Sequence, residues 1–238
     1  MASKPSPDSL RYEIKMACQE AAYERVLTVL RLAPQGVRKL YPPRRVQSIY
    51  LDTDTNRALA ENLAGISHRE KIRIRWYGDD TRGVQATIER KVRENMLGWK
   101  DTFKLASPID VEGVERRAFL ASVEDQATPE WKDALRHGLQ PVQWISYLRD
   151  YFRTGDGRVR ITVDRELRCA DQRHLLHLSP RLQTPIPRVL VIEAKCSRED
   201  HDAAQEILSR LPLFVDRCSK FVLASEPQHG PVPSLIPL

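Results

Sequence analysis

The sequence is poor in the residues that carry thiol, redox and metal-cluster chemistry. It has four cysteines, Cys18, Cys169, Cys196 and Cys218, and no two of them form a CxxC pair. Their spacings suit no zinc site, so they are expected as reduced thiols in a cytoplasmic protein. Aromatic residues make up only 7% of the chain and follow no stacking pattern. With no zinc-finger or helix-turn-helix signature either, no nucleic-acid partner is expected. No stretch approaches the roughly 18 apolar residues that a spanning helix needs, so no membrane segment is expected. The start, Met1 to Leu10, is polar, contains two prolines and lacks the apolar core of a signal peptide. Internal repeats and low-complexity blocks are absent.

What the chain does have is patterned charge. Its 38 Lys and Arg stand against 32 Asp and Glu, for a formal charge of +6 and a pI of about 9.2. A basic balance points to an anionic partner. The length of 238 residues and a hydrophobic content of 41% suffice for one large domain. Residues 1–9 read as a flexible tail, 10–224 as the folded domain, and 225–238, with four prolines, as a second tail.

Between the tails the dominant period is two. Strands are predicted at 11–16, 47–53, 69–77, 84–92, 98–105, 145–153, 158–164 and 188–195. Turn residues separate them, among them Gly78-Asp79-Asp80, Asn95-Met96-Leu97-Gly98 and Thr154-Gly155-Asp156-Gly157. Consecutive hairpins imply antiparallel pairing. Helices are predicted from Glu20 to Leu32, from Thr128-Pro129 to near Gly138, and from Ser197 to about Leu211, with a short one at 219–224. The class is α+β, dominated by strands.

Side chains two apart share a face of a strand. Arg69, Lys71, Arg73 and Arg75 therefore lie together, opposite Ile72, Ile74 and Trp76. The same division puts Arg11, Glu13 and Lys15 on one face. It groups Thr87, Glu89 and Lys91; Tyr147 and Arg149; Arg158, Arg160, Thr162 and Asp164; and Glu193 and Lys195. An ordinary sheet, wet on one side, would mix more Ser, Thr, Asn and Gln with its charges. The expectation is that these faces converge in a closed eight-stranded antiparallel β-barrel, with helices covering parts of its outside. Cations crowded in a bore repel and lose hydration, which a polyanion offsets through charge-assisted, often bidentate contacts.

Several segments, taken in order, resemble a known family. They are Arg11-Tyr12-Glu13-Ile14-Lys15, Ser48-Ile49-Tyr50-Leu51-Asp52-Thr53, Lys71-Ile72-Arg73-Ile74-Arg75-Trp76-Tyr77-Gly78, Ile88-Glu89-Arg90-Lys91, Tyr147-Leu148-Arg149, Arg158-Val159-Arg160-Ile161-Thr162-Val163-Asp164, Ile192-Glu193-Ala194-Lys195 and Ser219-Lys220-Phe221. The set resembles the VTC domain, the catalytic module of vacuolar-transporter-chaperone-type polyphosphate polymerases, within the triphosphate-tunnel (CYTH-like) superfamily. The resemblance implies a basic tunnel in which Arg73, Arg75, Lys91 and Lys220 act on the transferred phosphate. Lys15, Arg149, Arg160 and Lys195 would bind phosphates. Glu193, with Glu13 and Glu89, would hold Mn²⁺ or Mg²⁺. The implied partners are ATP and inorganic polyphosphate, and the implied activity is an ATP-dependent polyphosphate polymerase. A metal-dependent triphosphatase and a non-catalytic polyphosphate- or nucleotide-binding sensor stand as alternatives. The superfamily's triphosphatases begin with ExExK; here Arg11 replaces the first glutamate, which weighs against efficient hydrolysis.

Other features have plainer readings. His174 and His177 form an HxxH without a third ligand and are expected as a loop pair. Cys196 has no His partner. Tyr50 and Trp76 are expected to pack. Asp52 and Asp54 are expected in a strand-end turn, and Asp164 as the ion-pair partner of an inward Arg.

Overall fold

The computed structural model describes residues 12–95, 97–135, 138–186, 189–211, 214–215 and 219–225. The expected tails at 1–9 and beyond 225 lie outside these. Ser225, expected to open the second tail, instead closes a helix.

The strands are β1 (Tyr12–Gln19), β2 (Arg38–Asp52), β3 (His68–Tyr77), β4 (Thr87–Glu94), β5 (Leu97–Lys104), β6 (Gln140–Arg153), β7 (Arg160–Asp171), β8 (Thr184–Pro185), β9 (Val189–Cys196) and β10 (Phe214–Val215). The helices are α1 (Tyr23–Arg31), after a 3-10 turn at Glu20–Ala22, then α2 (Arg57–Leu63), α3 (Arg116–Glu124), α4 (Pro129–Leu135), α5 (His201–Ser209) and α6 (Lys220–Ser225). The sheet runs β10-β1-β9-β7-β6-β2-β3-β4-β5, with β8 beside β7, and every pairing is antiparallel. Eight long strands thus make a curled half-barrel with a few covering helices.

The ladder does not close among the described residues, which corrects the closed barrel expected from the sequence. Closure would require β5 to pair with β1. Among the described residues, the free edge of β1 meets only Val215 and Phe214 of β10, at Met16 and Ala17. Side chains, not backbone, span the opening: Lys91 of β4 and Glu13 of β1 meet with Nζ 2.8 Å from Oε2. Two side chains of that length keep the backbones beyond the 4.7–4.9 Å spacing of a ladder.

Two patches of outward apolar residues need cover, and helices supply it. Ile161, Val163, Leu190, Ile192 and Ala194 pack with Val26, Leu27 and Leu30 of α1 and Ala204, Ile207 and Leu208 of α5. Ile49, Ile72, Ile74, Trp76 and Ile88 pack with Phe119 and Val123 of α3 and Trp131 and Leu135 of α4. Trp76 and Trp144 meet edge to face at 5.5 Å. The helix cover leaves the concave face to the charged residues, except at one end. There Ile145, Tyr147, Leu167, Cys169, Val189 and Val191 form a third apolar cluster with Phe221 and Ala224 of α6. The concave face is therefore a basic trough with an apolar plug, rather than a bore charged along its whole length.

Several strands outrun their predicted bounds. β2 begins at Arg38 because register shifts on either side of Tyr41 accommodate Pro42 and Pro43, which cannot donate to a regular ladder. β7 continues past Asp164 through an irregularity opposite Ser146 and Leu148, with Glu166 at φ 52°. No described helix is long and apolar enough to cross a membrane.

Candidate functional site

The trough is built from cross-strand rows. Thr162 of β7 pairs with Tyr151 of β6 and Glu193 of β9, and Glu193 pairs with Lys15 of β1. The next row runs Arg153, Arg160, Lys195 and Glu13. Opposite them, Arg73 pairs with Tyr50 and Glu89, and Lys71 with Lys91 and through it Lys100. Directly paired side chains share a face. Residues from all eight long strands are thereby gathered in one concavity.

Glu13 and Glu193 lie at its centre and share their cations. Lys15 Nζ is 3.1 Å from Glu13 and 3.6 Å from Glu193. Lys195 Nζ is 2.6 Å from Glu193 and 3.7 Å from Glu13. Burial and the neighbouring Glu193 carboxyl would raise the pKa of Glu13; Lys15 and Lys91 outweigh them and hold it below the usual range. Burial likewise opposes ionisation of Glu193, yet Lys15, Lys195 and Arg149 hold it well below. Both carboxylates are therefore charged at neutral pH.

The arginines of β3 are held by a second carboxylate. Arg73 donates from Nε to Glu89 Oε2 at 2.7 Å and from Nη1 to the Tyr50 hydroxyl at 2.8 Å. Arg75, 6% exposed, donates to Ser48 Oγ at 3.3 Å and Tyr147 Oη at 3.0 Å, and lies 3.4 Å from Glu89. Lys100 of β5 donates to the other Glu89 oxygen at 3.1 Å. Both Glu89 oxygens are thus occupied by cations, and despite burial Arg73, Arg75 and Lys100 drive its pKa far down.

Asp164 anchors a third group. Arg149 grips it with both Nε at 2.6 Å and Nη2 at 2.8 Å, and Lys220 of α6 reaches it at 2.6 Å. This is the arginine pairing expected for Asp164, extended to a lysine. Phe221, beside Lys220, stacks on Tyr50 with centroids 5.0 Å apart. Lys71 donates to Ser219 Oγ at 2.8 Å. Burial, then Lys15, Lys91, Arg69 and Arg73, push the Lys71 pKa down to about 7. Burial and four neighbouring cations leave this ammonium little reason to stay charged.

The structure thus brings together Glu13, Lys15, Arg73, Arg75, Glu89, Lys91, Arg149, Glu193, Lys195 and Lys220. Arg160 lies on the same face, exposed at the rim. Arg11 lies outside the described residues. The sequence places Lys71 on the inward face without assigning it a role, and it does not single out Lys100 of β5. The alternation that puts Lys100 with Thr102 and Lys104 on one face is the available signal. Tyr50 and Trp76 pack as expected, and Tyr50 and Tyr147 in addition orient Arg73 and Arg75.

The other candidates resolve as structure. Asp52 accepts the amides of Ala58 at 2.8 Å and Leu59 at 3.0 Å, holding the start of α2. Cys18, Cys169 and Cys196 are buried free thiols, and burial pushes Cys18 up to about 11. His177 sits in a backbone bridge with Glu115.

Whether the site suits a divalent metal turns on its donors. Among the described residues, no group of three or more His, Cys, Asp or Glu gathers. Glu13 and Glu193 offer carboxylate oxygens alone. That fits Mg²⁺ or Mn²⁺, which take one or two carboxylates and complete their shells with phosphate oxygens and water.

Comparison with known proteins agrees with this geometry. Residues 10–227 match the VTC domain family. No curated protein matches the chain. Among solved structures, a candidate adenylate cyclase from Vibrio parahaemolyticus superposes with a TM-score of 0.51 at 10% identity, covering 90% of this chain and 98% of that one. The PH1819 protein from Pyrococcus horikoshii gives 0.47 at 12% identity, covering 89% and 96%. At such identity the likeness to the Vibrio protein speaks for a shared fold alone.

Proposed function

The chain belongs to the VTC domain family, and on that premise we propose that it is an ATP-dependent polyphosphate polymerase. The observation that supports this most is the meeting of Lys15, Lys91 and Lys195 around the Glu13–Glu193 pair, beside Arg73 and Arg75. Seven strands supply inward cations or their counter-charges to one trough, an arrangement suited to a chain of phosphates.

Phosphoryl transfer depends chiefly on positioning and on neutralising charge. Arg73, Arg75, Lys91 and Lys220 hold the γ-phosphoryl group of ATP and offset charge on its oxygens as the bond to the β-phosphate breaks. Lys15, Arg149, Arg160 and Lys195 align the flanking phosphates. An oxygen of the terminal phosphate of the growing chain attacks the γ-phosphorus, and ADP leaves with the bridging oxygen. That acceptor is already anionic, so no side chain has to remove a proton. Glu13 and Glu193 would hold Mn²⁺ or Mg²⁺, which supplies further neutralisation of phosphate oxygens when bound. Glu89 serves here as the anchor of Arg73 and Arg75.

The test is incubation of the purified protein with ATP and Mn²⁺, resolving long-chain polyphosphate from free phosphate. Growth of a chain is the expected result. Free phosphate alone would make the protein a triphosphatase, and nucleotide binding without turnover would make it a sensor.

A further inference from the structure

Beside the phosphate cradle, the concave face carries an aromatic lip that phosphates would not use. Tyr151 stands two residues after Arg149 on β6, and its cross-strand partner on β2 is Tyr41. The two rings meet edge to face, 5.9 Å apart and at 80°. Arg44, whose partner is Arg149, places its guanidinium 5.2 Å from the Tyr41 centroid. Tyr77 at the end of β3 pairs with Val46, which pairs with Tyr147. It lies near enough to Tyr151 to bear on its ionisation, as do Arg149 and Tyr147.

Three tyrosines and an arginine thus rim the trough on one side. Tyr41 is 49% exposed and Tyr77 54%. Leaving two large rings half in water forgoes the burial that normally stabilises an aromatic residue. The lip also shares a row with the phosphate site, since Tyr151, Thr162, Glu193 and Lys15 are successive partners. Tyr151 and Glu193 are two strand spacings apart, about 10 Å. A ligand made only of phosphate gives these rings nothing to bind. A nucleoside triphosphate does, because its base has a flat face and its phosphates continue toward the cations.

We propose that Tyr41, Tyr77, Tyr151 and Arg44 form a nucleobase-stacking subsite at the lip of the trough, which binds the base of the nucleoside triphosphate and leaves the inorganic chain unrecognised. The proposal rests on the reading of the trough as a triphosphate site. Stacking tolerates every base, because each has a π-face. ATP and GTP should therefore bind alike, and inorganic tripolyphosphate more weakly.

Calorimetric titration of ATP and of inorganic tripolyphosphate, both with Mg²⁺, tests the subsite. In Tyr151→Ala and in the double variant Tyr41→Ala/Tyr77→Ala, ATP affinity should fall roughly tenfold, as loss of one stacked base implies. Tripolyphosphate affinity should stay unchanged, which also shows that the variants fold. Tyr151→Phe should keep ATP affinity. Equal losses for both ligands, or no loss for ATP, would overturn the subsite and leave the phosphate reading standing. If the wild-type protein binds neither ligand, the phosphate reading fails and the subsite fails with it.

Discussion

Lys91 and Glu13 join two strands that share no hydrogen bond, with Nζ and Oε2 2.8 Å apart across the open side of the half-barrel. The pair bridges the concave face from β4 to β1. Lys91 is half-exposed, so solvent screens the pair and its effect on stability is about 0–1 kcal/mol. Its importance lies with the ligand. Lys91→Met should leave the melting temperature nearly unchanged and weaken tripolyphosphate binding by roughly tenfold, the scale of one charge-assisted hydrogen bond. Thermal melts and calorimetry on the same sample check both halves.

Glu89 bridges Arg73 and Arg75, and its Oε2 lies within 3.4 Å of both guanidiniums. Glu89→Gln removes the counter-charge but keeps the shape, leaving Arg73 and Arg75 unneutralised. A loss of about 3–5 kcal/mol is expected, as for a buried pair stripped of one partner. A polyanion in the trough would replace the missing charge. The gap in melting temperature between wild type and variant should therefore narrow when tripolyphosphate is added. A gap that ligand leaves unchanged would place the arginines outside the phosphate site.

Lys71 should take up a proton when phosphate binds. In the free protein its pKa is pushed down to about 7 by burial and by Lys15, Lys91, Arg69 and Arg73. A bound polyanion reverses that repulsion. With ATP as the ligand at pH 8.5, the ligand's own phosphates are deprotonated, the last pKa of a phosphate ester being near 6. Binding there should absorb up to one proton, measured by calorimetry in buffers of different ionisation enthalpy, and Lys71→Met should abolish most of it. The same shift bears on stability. Between about 7 and 10.5 the unfolded chain binds the proton that folded Lys71 has lost, so this group makes stability rise with pH in that window.

Asp164 ties α6 to the sheet. Burial opposes its charge, but Arg149 and Lys220 hold its pKa below the ordinary value. A carboxylate depressed on folding adds stability above its unfolded pKa near 4, which is lost as pH falls through the folded value. Asp164→Asn should cost about 3–5 kcal/mol at neutral pH. It should also flatten the acid limb of the stability curve, followed by circular dichroism.

Much of this arrangement was legible from a period of two. On β3, Arg69 through Arg75 alternate with Ile72, Ile74 and Trp76, and the first set turns inward and the second into the core. The helices packed on the sheet were harder to read. α2 and α3 have no side-chain hydrogen bond at their N-caps, so the usual start signal is missing. The exposed start of β2 is hidden by Pro42 and Pro43. The irregularity around Glu166 shifts the inward phase of β7 by one residue, from Asp164 to Leu167, which breaks the alternation at that point. The apolar plug could not be read at all, since it needs Phe221 from the end of the chain to meet Tyr50, far away in sequence. Closure was overread because facing charges can meet through side chains while their backbones stay apart.

The most direct measurement is a crystal structure of the protein with inorganic tripolyphosphate and Mn²⁺. The expected result is a manganese anomalous peak on the Glu13 and Glu193 carboxylates, with phosphates against Arg73, Arg75, Arg149 and Lys220. Phosphate density confined to the outer surface, with the trough cations still bound to their own carboxylates, would contradict the account.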